Sequence, residues 1–301
     1  MIQTEKGATR SHIAHEANIS NLINYEKDTR FFLSKNKDCV GYLINTRTLK
    51  ILDPLLKNNN TWLTVGDYNG FEAQYFGEHN QTVTASDISD MFLKEAKKEG
   101  FIKEYRKENV EQLSFSEDSF DYVSCREAFH HFPRAFLGIY EMIRVAKKGA
   151  ILIEPLDILA KMPFILWLKN ICDLFNPLLI NKIWKNRFSW ETVGNYVFKI
   201  SERDVEKIAM GINLPCIALK GINVFLNIKE DTTSVPTDFK LLNKIKRKFI
   251  FRNFLCQLRI IPYNTLCSII FKEMPDDETL IGLKENNYRI VKLPPNPYLS
   301  N

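Results

Sequence analysis

No two of the six cysteines (Cys39, Cys125, Cys172, Cys216, Cys256 and Cys267) stand in a C-x-x-C pair. This excludes a zinc ribbon or a redox dithiol, and the scatter of the thiols suits a reducing cytosol, not a disulfide frame; no metal site is expected. Residues 1–10 lack the apolar core of a signal peptide. The most apolar stretch, Leu156 to Ile183, is broken by Lys161, Pro163, Lys169, Asp173 and Pro177, so no membrane-spanning helix is predicted and the expected location is the cytoplasm. Internal repeats and low-complexity tracts are also missing. There is no broad basic face either. The net charge of +5 (41 Lys and Arg against 36 Asp and Glu) comes from the acid-free stretch Phe239 to Ile260, whose seven cations leave 34 against 36 elsewhere. A nucleic-acid partner is therefore not expected.

The 301 residues are 45% apolar and 12% aromatic, enough for a large packed core. Residues 1–60 read as a helical N-terminal lid ending at Asn58-Asn59-Asn60. From residue 61, β-rich runs (62–65, 82–86, 105–107, 122–125 and 150–154) alternate with helical ones (70–76, 90–99 and 134–147). Such alternation predicts an α/β fold with a doubly wound, mostly parallel sheet whose ligands lie at the strands' carboxyl ends. A helical insertion at about 156–210 interrupts the pattern, and β character returns at 216–220 and 224–228 to complete seven strands, with an antiparallel edge. Residues 61–230 are thus expected to form the main domain, and 231–301 a linker and C-terminal appendage.

The Gly turn after the first run, Val65-Gly66-Asp67-Tyr68-Asn69-Gly70, allows close backbone approach to a ligand. Asp87 follows Gly66 by about 20 residues, the spacing of a carboxylate that holds a ribose diol. Together they point to a nucleoside-type cofactor. A nicotinamide enzyme fits poorly, because the turn has no G-x-G-x-x-G.

The second half of the site adds Glu108-Asn109-Val110, Ser119-Phe120-Asp121-Tyr122-Val123 and Phe129-His130-His131-Phe132-Pro133. With these motifs, residues 60–155 resemble the class I S-adenosylmethionine (SAM)-dependent methyltransferases, of the type 11-like group, which have a Rossmann-like fold. The resemblance implies SAM as cofactor and S-adenosylhomocysteine as product. It implies that Gly66 and Gly70 frame the methionine and ribose, Asp87 accepts from the ribose hydroxyls, and Ile88 lies along the adenine. Asn109 would bond the adenine amino group, the Val110 N–H a ring nitrogen, and the Cys125 carbonyl the cofactor's ammonium. Thr64 stands where the family has an acid and Tyr68 where it has its middle glycine; Asp67 is expected to supply the displaced carboxylate.

Methyl transfer to a hydroxyl needs an oriented acceptor and a proton acceptor. His130 is the first candidate base, with His131 beside it, and Glu191 in the insertion is the second. Lys182, Lys185 and Arg187, among Trp184, Phe188 and Trp190, suit a phosphorylated or sugar-like acceptor. The expected activity is O-methylation of a small molecule or of a sugar, nucleotide-sugar or glycan hydroxyl, in bacterial surface-polysaccharide or secondary metabolism. The alternatives are N-methylation of a small molecule and a degenerate scaffold that binds a partner. The stretch 239–260 suggests peripheral contact with the inner face of a membrane in its basic first half and packing on the body or a partner chain in its apolar second half. A homodimer is compatible with the sequence.

Overall fold

The computed structural model describes residues 10–14, 16–17, 37–158, 161–175, 190, 196–224 and 239–298. The strands are β1 (Thr61–Val65), β2 (Thr82–Asp87), β3 (Glu104–Lys107), β4 (Phe120–Arg126), β5 (Ala146–Pro155), β6 (Cys216–Ile222), β7 (Thr265–Phe271) and β8 (Arg289–Lys292). They form one eight-stranded sheet in the order β3-β2-β1-β4-β5-β7-β6-β8. The first five in this order are mutually parallel, and β7 runs antiparallel between β5 and β6. The helices are α1 (Val40–Leu49), α2 (Phe71–Glu78), α3 (Met91–Lys98), α4 (Ala135–Val145), α5 (Pro163–Phe175), α6 (Glu202–Gly211), α7 (Phe239–Gln257) and α8 (Asp277–Glu285), with a 3-10 helix at Lys50–Leu55.

Strand burial follows position. Every residue of β7, and the run Gly149–Glu154 of β5, is buried, as centre strands covered on both faces require, whereas the edge strands β3 and β8 have no buried residue. On one face, Ile139, Met142 and Ile143 of α4 and Val205 and Ile208 of α6 pack on Leu63, Val123 and Leu152. On the other, Leu49 of α1, Leu52 and Leu55 of the 3-10 helix, Phe76 of α2 and Leu283 of α8 pack on Trp62, Ile151 and Ile269. Ser201 and Asp204 close a capping box at the start of α6, and Asp276 caps α8 through the Thr279 N–H.

Several expectations need correction. The sheet has eight strands, not seven, and the segment expected as an appendage supplies β7, α8 and β8, so no boundary at 231 separates it from the sheet. The runs 216–220 and 224–228 were expected to complete the sheet with an antiparallel edge. Instead β6 gains its antiparallel partner from 43 residues beyond its own end, after the chain has passed through α7. Val224 lies outside any strand, and 225–228 fall outside the described residues. The region 156–210 is not wholly an insertion: α5 belongs to it, but α6 is an ordinary covering helix on the core. Nor is all of 1–60 a lid, since Leu49, Leu52 and Leu55 are core residues.

Helix α7 packs on α1 through Ile245 and Phe249 against Val40. Its second half, expected to be packed, leaves Ile250, Phe251 and Phe254 exposed. Among the described residues, no helix is long and apolar enough to cross a membrane. Among the same residues no group of His, Cys, Asp and Glu could hold a metal ion.

Candidate active site

At the carboxyl end of β1 the chain turns sharply. Gly66 has φ +68°, and a Cβ there would stand 2.3 Å from the Ala128 Cβ, so conformation and contact both demand glycine. Gly70, at φ +74°, opens α2. Between them the Asp67 carboxylate turns inward, accepting from the Thr64 hydroxyl (2.9 Å) and from the N–H groups of Glu72 (3.2 Å) and Ala73 (2.8 Å). Burial raises its pKa, opposed by these three donors. The displaced carboxylate thus rejoins Thr64, and together they fasten the loop to the helix start. In this structure both Asp67 oxygens are engaged within the loop, by Thr64 and by the first turn of α2.

Tyr68, at the family's middle-glycine position, stacks on Phe92 of α3 with centroids 4.5 Å apart. Its ring joins the cluster of Ala73, Phe92, Ala96 and Ile102, which Ile88 also flanks. Asp87 ends β2 with its Oδ1 accepting from the Ser89 N–H at 2.9 Å. After β3, the Asn109 Oδ1 accepts from the Glu111 N–H at 3.0 Å, an Asx turn that leaves the oxygen a second lone pair for an amine. Val110 is buried against Gly138 of α4. Cys125 lies in β4 opposite Val65 of β1, its thiol fully buried and its pKa driven up by that burial. Gly66, Asp87, Asn109, Val110 and Cys125 therefore sit at or beside the carboxyl ends of adjacent strands. A diol-accepting carboxylate, an amine-accepting carbonyl and a close-approach backbone lie along one edge, a donor and acceptor set that fits an adenosyl group.

The described part of the lid lies over this edge. The Glu111 carboxylate is buried and held by Arg134 through its backbone N–H (2.6 Å), Nε (2.8 Å) and a second guanidinium nitrogen (2.8 Å). The His12 Nε2 stands 3.9 Å from it, and Glu16 pairs with Lys107. Burial lowers the His12 pKa. His12 and Glu16 thus reach the end of β3 and the loop that follows it.

Beyond β4 comes a cluster of titratable groups. Glu154, at the end of β5 and wholly buried, accepts from the N–H groups of Ala128 (2.8 Å) and Phe129 (2.9 Å) through Oε1 and from His130 Nδ1 (2.9 Å) through Oε2. It orients the ring and fixes the proton on Nδ1. His131 stacks on His130 at 4.1 Å. Between β4 and His130 lies Glu127, in the left-handed region at φ +55°. Its Oε1 is sealed from solvent and takes no hydrogen bond among the described residues. Burial, opposed by Arg126 and His130 and reinforced by Glu154, pushes its pKa up to about 7. Glu72 is raised to about 7 as well, by burial and by Asp67. Arg126 lies near Glu72, its Nε 3.8 Å from Oε2, and donates from Nη1 to Asn45 of α1 at 2.7 Å.

Sequence reasoning missed Glu127, Arg126 and Glu72. Its one available signal for Glu127 was an acid between a strand and a His-His pair, because the backbone twist that aims it has no mark in the sequence. Glu191, Lys182, Lys185 and Arg187 lie outside the described residues. Of their neighbours, Trp190 meets Tyr196 edge to face at 5.7 Å, Tyr196 meets Phe198 at 5.1 Å, and Phe198 reaches Phe129 at 6.3 Å. An aromatic wall thus runs from the insertion to the residue preceding His130.

Residues 63–153 match the family described as methyltransferase domain. Three solved structures are similar over most of their length. YcgJ of Bacillus subtilis is 18% identical, covering 76% of this chain and 99% of its own, with a TM-score of 0.48. Magnesium protoporphyrin IX methyltransferase of Synechocystis, solved with bound SAM, is 13% identical, with coverages of 85% and 96% and a TM-score of 0.47. The 1,6-didemethyltoxoflavin-N1-methyltransferase of Burkholderia thailandensis, solved with its substrate and S-adenosylhomocysteine, is 10% identical, with coverages of 87% and 88% and a TM-score of 0.49. No curated protein sequence matches. The family match spans β1 to β5, the strands whose ends carry the glycine turn, the ribose-type acid and the adenine-type asparagine, and it identifies this part of the chain as a class I, SAM-dependent methyltransferase domain.

Proposed function

We propose that the protein O-methylates a hydroxyl of a small polar acceptor, with Glu127 as the base. The observation that carries this reading is the half-buried Glu127, whose Oε1 is sealed and takes no hydrogen bond among the described residues, in a carboxyl that burial pushes up to about 7 with His130 and Glu154 among its neighbouring charges. An amine acceptor in its neutral form already has a lone pair to offer, whereas a hydroxyl must shed a proton as it attacks. A carboxylate that titrates near neutral pH is matched to that task.

SAM, when bound, supplies an electrophilic methyl group on a sulfonium. Gly66, Gly70 and the Asp67–Thr64 pair shape the loop that would receive its methionine end, and Asp87 and Asn109 would take the ribose hydroxyls and the adenine amine. Glu127 would take the hydroxyl proton as the acceptor oxygen received the methyl group from the sulfonium, giving a methyl ether and S-adenosylhomocysteine. His130, oriented by Glu154, is placed to hydrogen-bond the acceptor and balance the charge on Glu127. The wall of Trp190, Tyr196 and Phe198 offers flat faces of the kind that stack on sugars. A sugar, nucleotide-sugar or glycan hydroxyl, in bacterial surface-polysaccharide or secondary metabolism, is accordingly the first acceptor class to test.

The test is a transfer assay with labelled SAM against paired alcohol and amine acceptors. Label should enter an alcohol, with kcat/KM rising as pH passes through about 7 and the rise absent in Glu127→Gln. Transfer to amines alone, indifferent to Glu127, would overturn the reading.

A further inference from the structure

Five cations and a single carboxylate line a cavity of about 1260 Å³ beside the site: Arg47, Lys161, Lys220, Arg259 and Arg289 against Glu202. It opens at the edge where β5 and β6 end and β7 begins, because Pro155 and Ile222 both pair with Thr265. Two of its lining residues tie it to the chemistry. Leu156 follows Glu154 by two positions, and Thr48 lies about one helical turn from Asn45, the partner of Arg126. The volume exceeds the ordinary range for a drug-sized ligand, about 300–1,000 Å³.

Its charge is unbalanced. Glu202 is engaged by Lys161 (2.7 Å) and Arg289 (2.6 Å). For Arg47, Lys220 and Arg259 no carboxylate lies within ion-pair distance among the described residues. Neutral groups position two of them: Lys220 donates to the Asn286 carbonyl at 2.5 Å, and the Arg47 guanidinium lies 4.2 Å from the centre of the Phe249 ring. Half-burying a lysine without a counter-ion costs free energy, and burial accordingly lowers the Lys220 pKa. Arg259 has φ +58°, just past the end of α7, where glycine or asparagine is at ease and arginine is not. Placing cations here at such cost makes sense if an anion arrives from outside.

The rim has a different chemistry. Phe164 of α5 and Ile260 line the cavity yet are 71% and 58% exposed, and Phe254 and Leu258, near Ile260 in sequence but outside the lining, are each 54% exposed. Isolated exposed apolar side chains are ordinary, but a set of them around a cationic cavity suits a ligand with both characters. We propose that this cavity binds the anionic headgroup of an amphiphile, a phosphate or similar anion joined to an apolar chain that leaves the cavity past Phe164 and Ile260. This binding does not rest on the proposed methyl transfer.

The experiment is calorimetric titration of the full chain, saturated with S-adenosylhomocysteine, with dodecyl phosphate below its micelle concentration, inorganic phosphate and dodecyl maltoside. Dodecyl phosphate should bind saturably and at least tenfold more tightly than either of the others. Lys220→Met and Arg259→Gly should each weaken it about tenfold and leave S-adenosylhomocysteine affinity unchanged. Arg259→Gly relieves the backbone strain, so loss of binding there is not loss of fold. Unchanged binding in both variants would overturn the proposal. So would equal affinity for the maltoside, or inorganic phosphate binding as tightly as its dodecyl ester, which would mark a site for soluble phosphates. Because the readout is binding and not turnover, failure of the Glu127 chemistry would leave this result standing.

Discussion

The two halves of the sheet do different work and are built differently. From β3 to β4 each strand is reached by a short crossover, and the groups expected to meet the cofactor stand at or beside strand ends in chain order: Gly66, Asp87, Asn109, Cys125. From β5 to β8 the order is broken, β7 enters between two older neighbours, and the groups at the edge come from α1, α5, α7 and the loop at 259–263. The cofactor half is a local design, whereas the half we propose for the acceptor is assembled from distant segments. A site for one fixed nucleoside can be written into consecutive loops. A site whose ligand varies between related enzymes is more readily changed by segments that do not also carry the cofactor.

The sharpest way to break this division of labour is at Glu127, where the halves meet. Glu127→Gln is expected to lower kcat for an alcohol acceptor by about 10²–10⁴-fold, with S-adenosylhomocysteine affinity held within about threefold. Steady-state kinetics and calorimetry on the same preparation check both. A parallel loss of cofactor affinity would show that Glu127 belongs to the cofactor half. Next in size is Gly66→Ala, which strains a positive φ and drives a methyl group into Ala128. A loss of about 2–4 kcal/mol is expected by denaturant unfolding, because the obstacle is a short side chain and backbone that cannot swing away. A smaller effect is expected at Asp67: Asp67→Ala removes three hydrogen bonds from the loop and should weaken SAM at least about tenfold by calorimetry. Asp67→Asn, which keeps an acceptor oxygen, should recover much of that affinity if the role is to hold the loop.

How far these halves could be read from sequence follows from the same contrast. The parallel strands β1, β2, β4 and β5 are marked by short β-rich runs, the first two ending at Gly66 and Asp87, and their expected positions lie within a few residues of those observed. Strand β7 is just as apolar, Thr265-Leu266-Cys267-Ser268-Ile269-Ile270-Phe271, but nothing local says that it must slot between β5 and β6. Pairing over such a distance is decided by the whole core. The His130–Glu154 contact was hidden for a similar reason: the residues are 24 apart and meet only because β4 and β5 are neighbours. Glu127 was invisible for a different one, since its importance comes from burial and a backbone angle.

The smallest effect concerns the cost of keeping Glu127 where it is. Folding raises its pKa from an ordinary value near 4.5 to about 7. A carboxyl raised in this way contributes stability that is complete below about 4.5 and is lost as pH climbs through 7, because ionising it in the folded protein is penalised while ionising it in the unfolded chain is not. Glutamine never ionises. Glu127→Gln should therefore raise the unfolding midpoint at pH 8 by about 2–5 °C relative to the parent protein, and the advantage should fade towards zero by pH 5. Thermal unfolding at half-unit pH steps, with the Asp87→Asn variant as a cofactor-half control, reads this directly. A Glu127→Gln shift that stays constant across the range would mean the carboxyl is not perturbed, and the case for it as a base tuned to neutral pH would fall with it. A shift that appears only at high pH would show that the acceptor half gives up stability for the proton acceptor its chemistry requires, as functional sites commonly do.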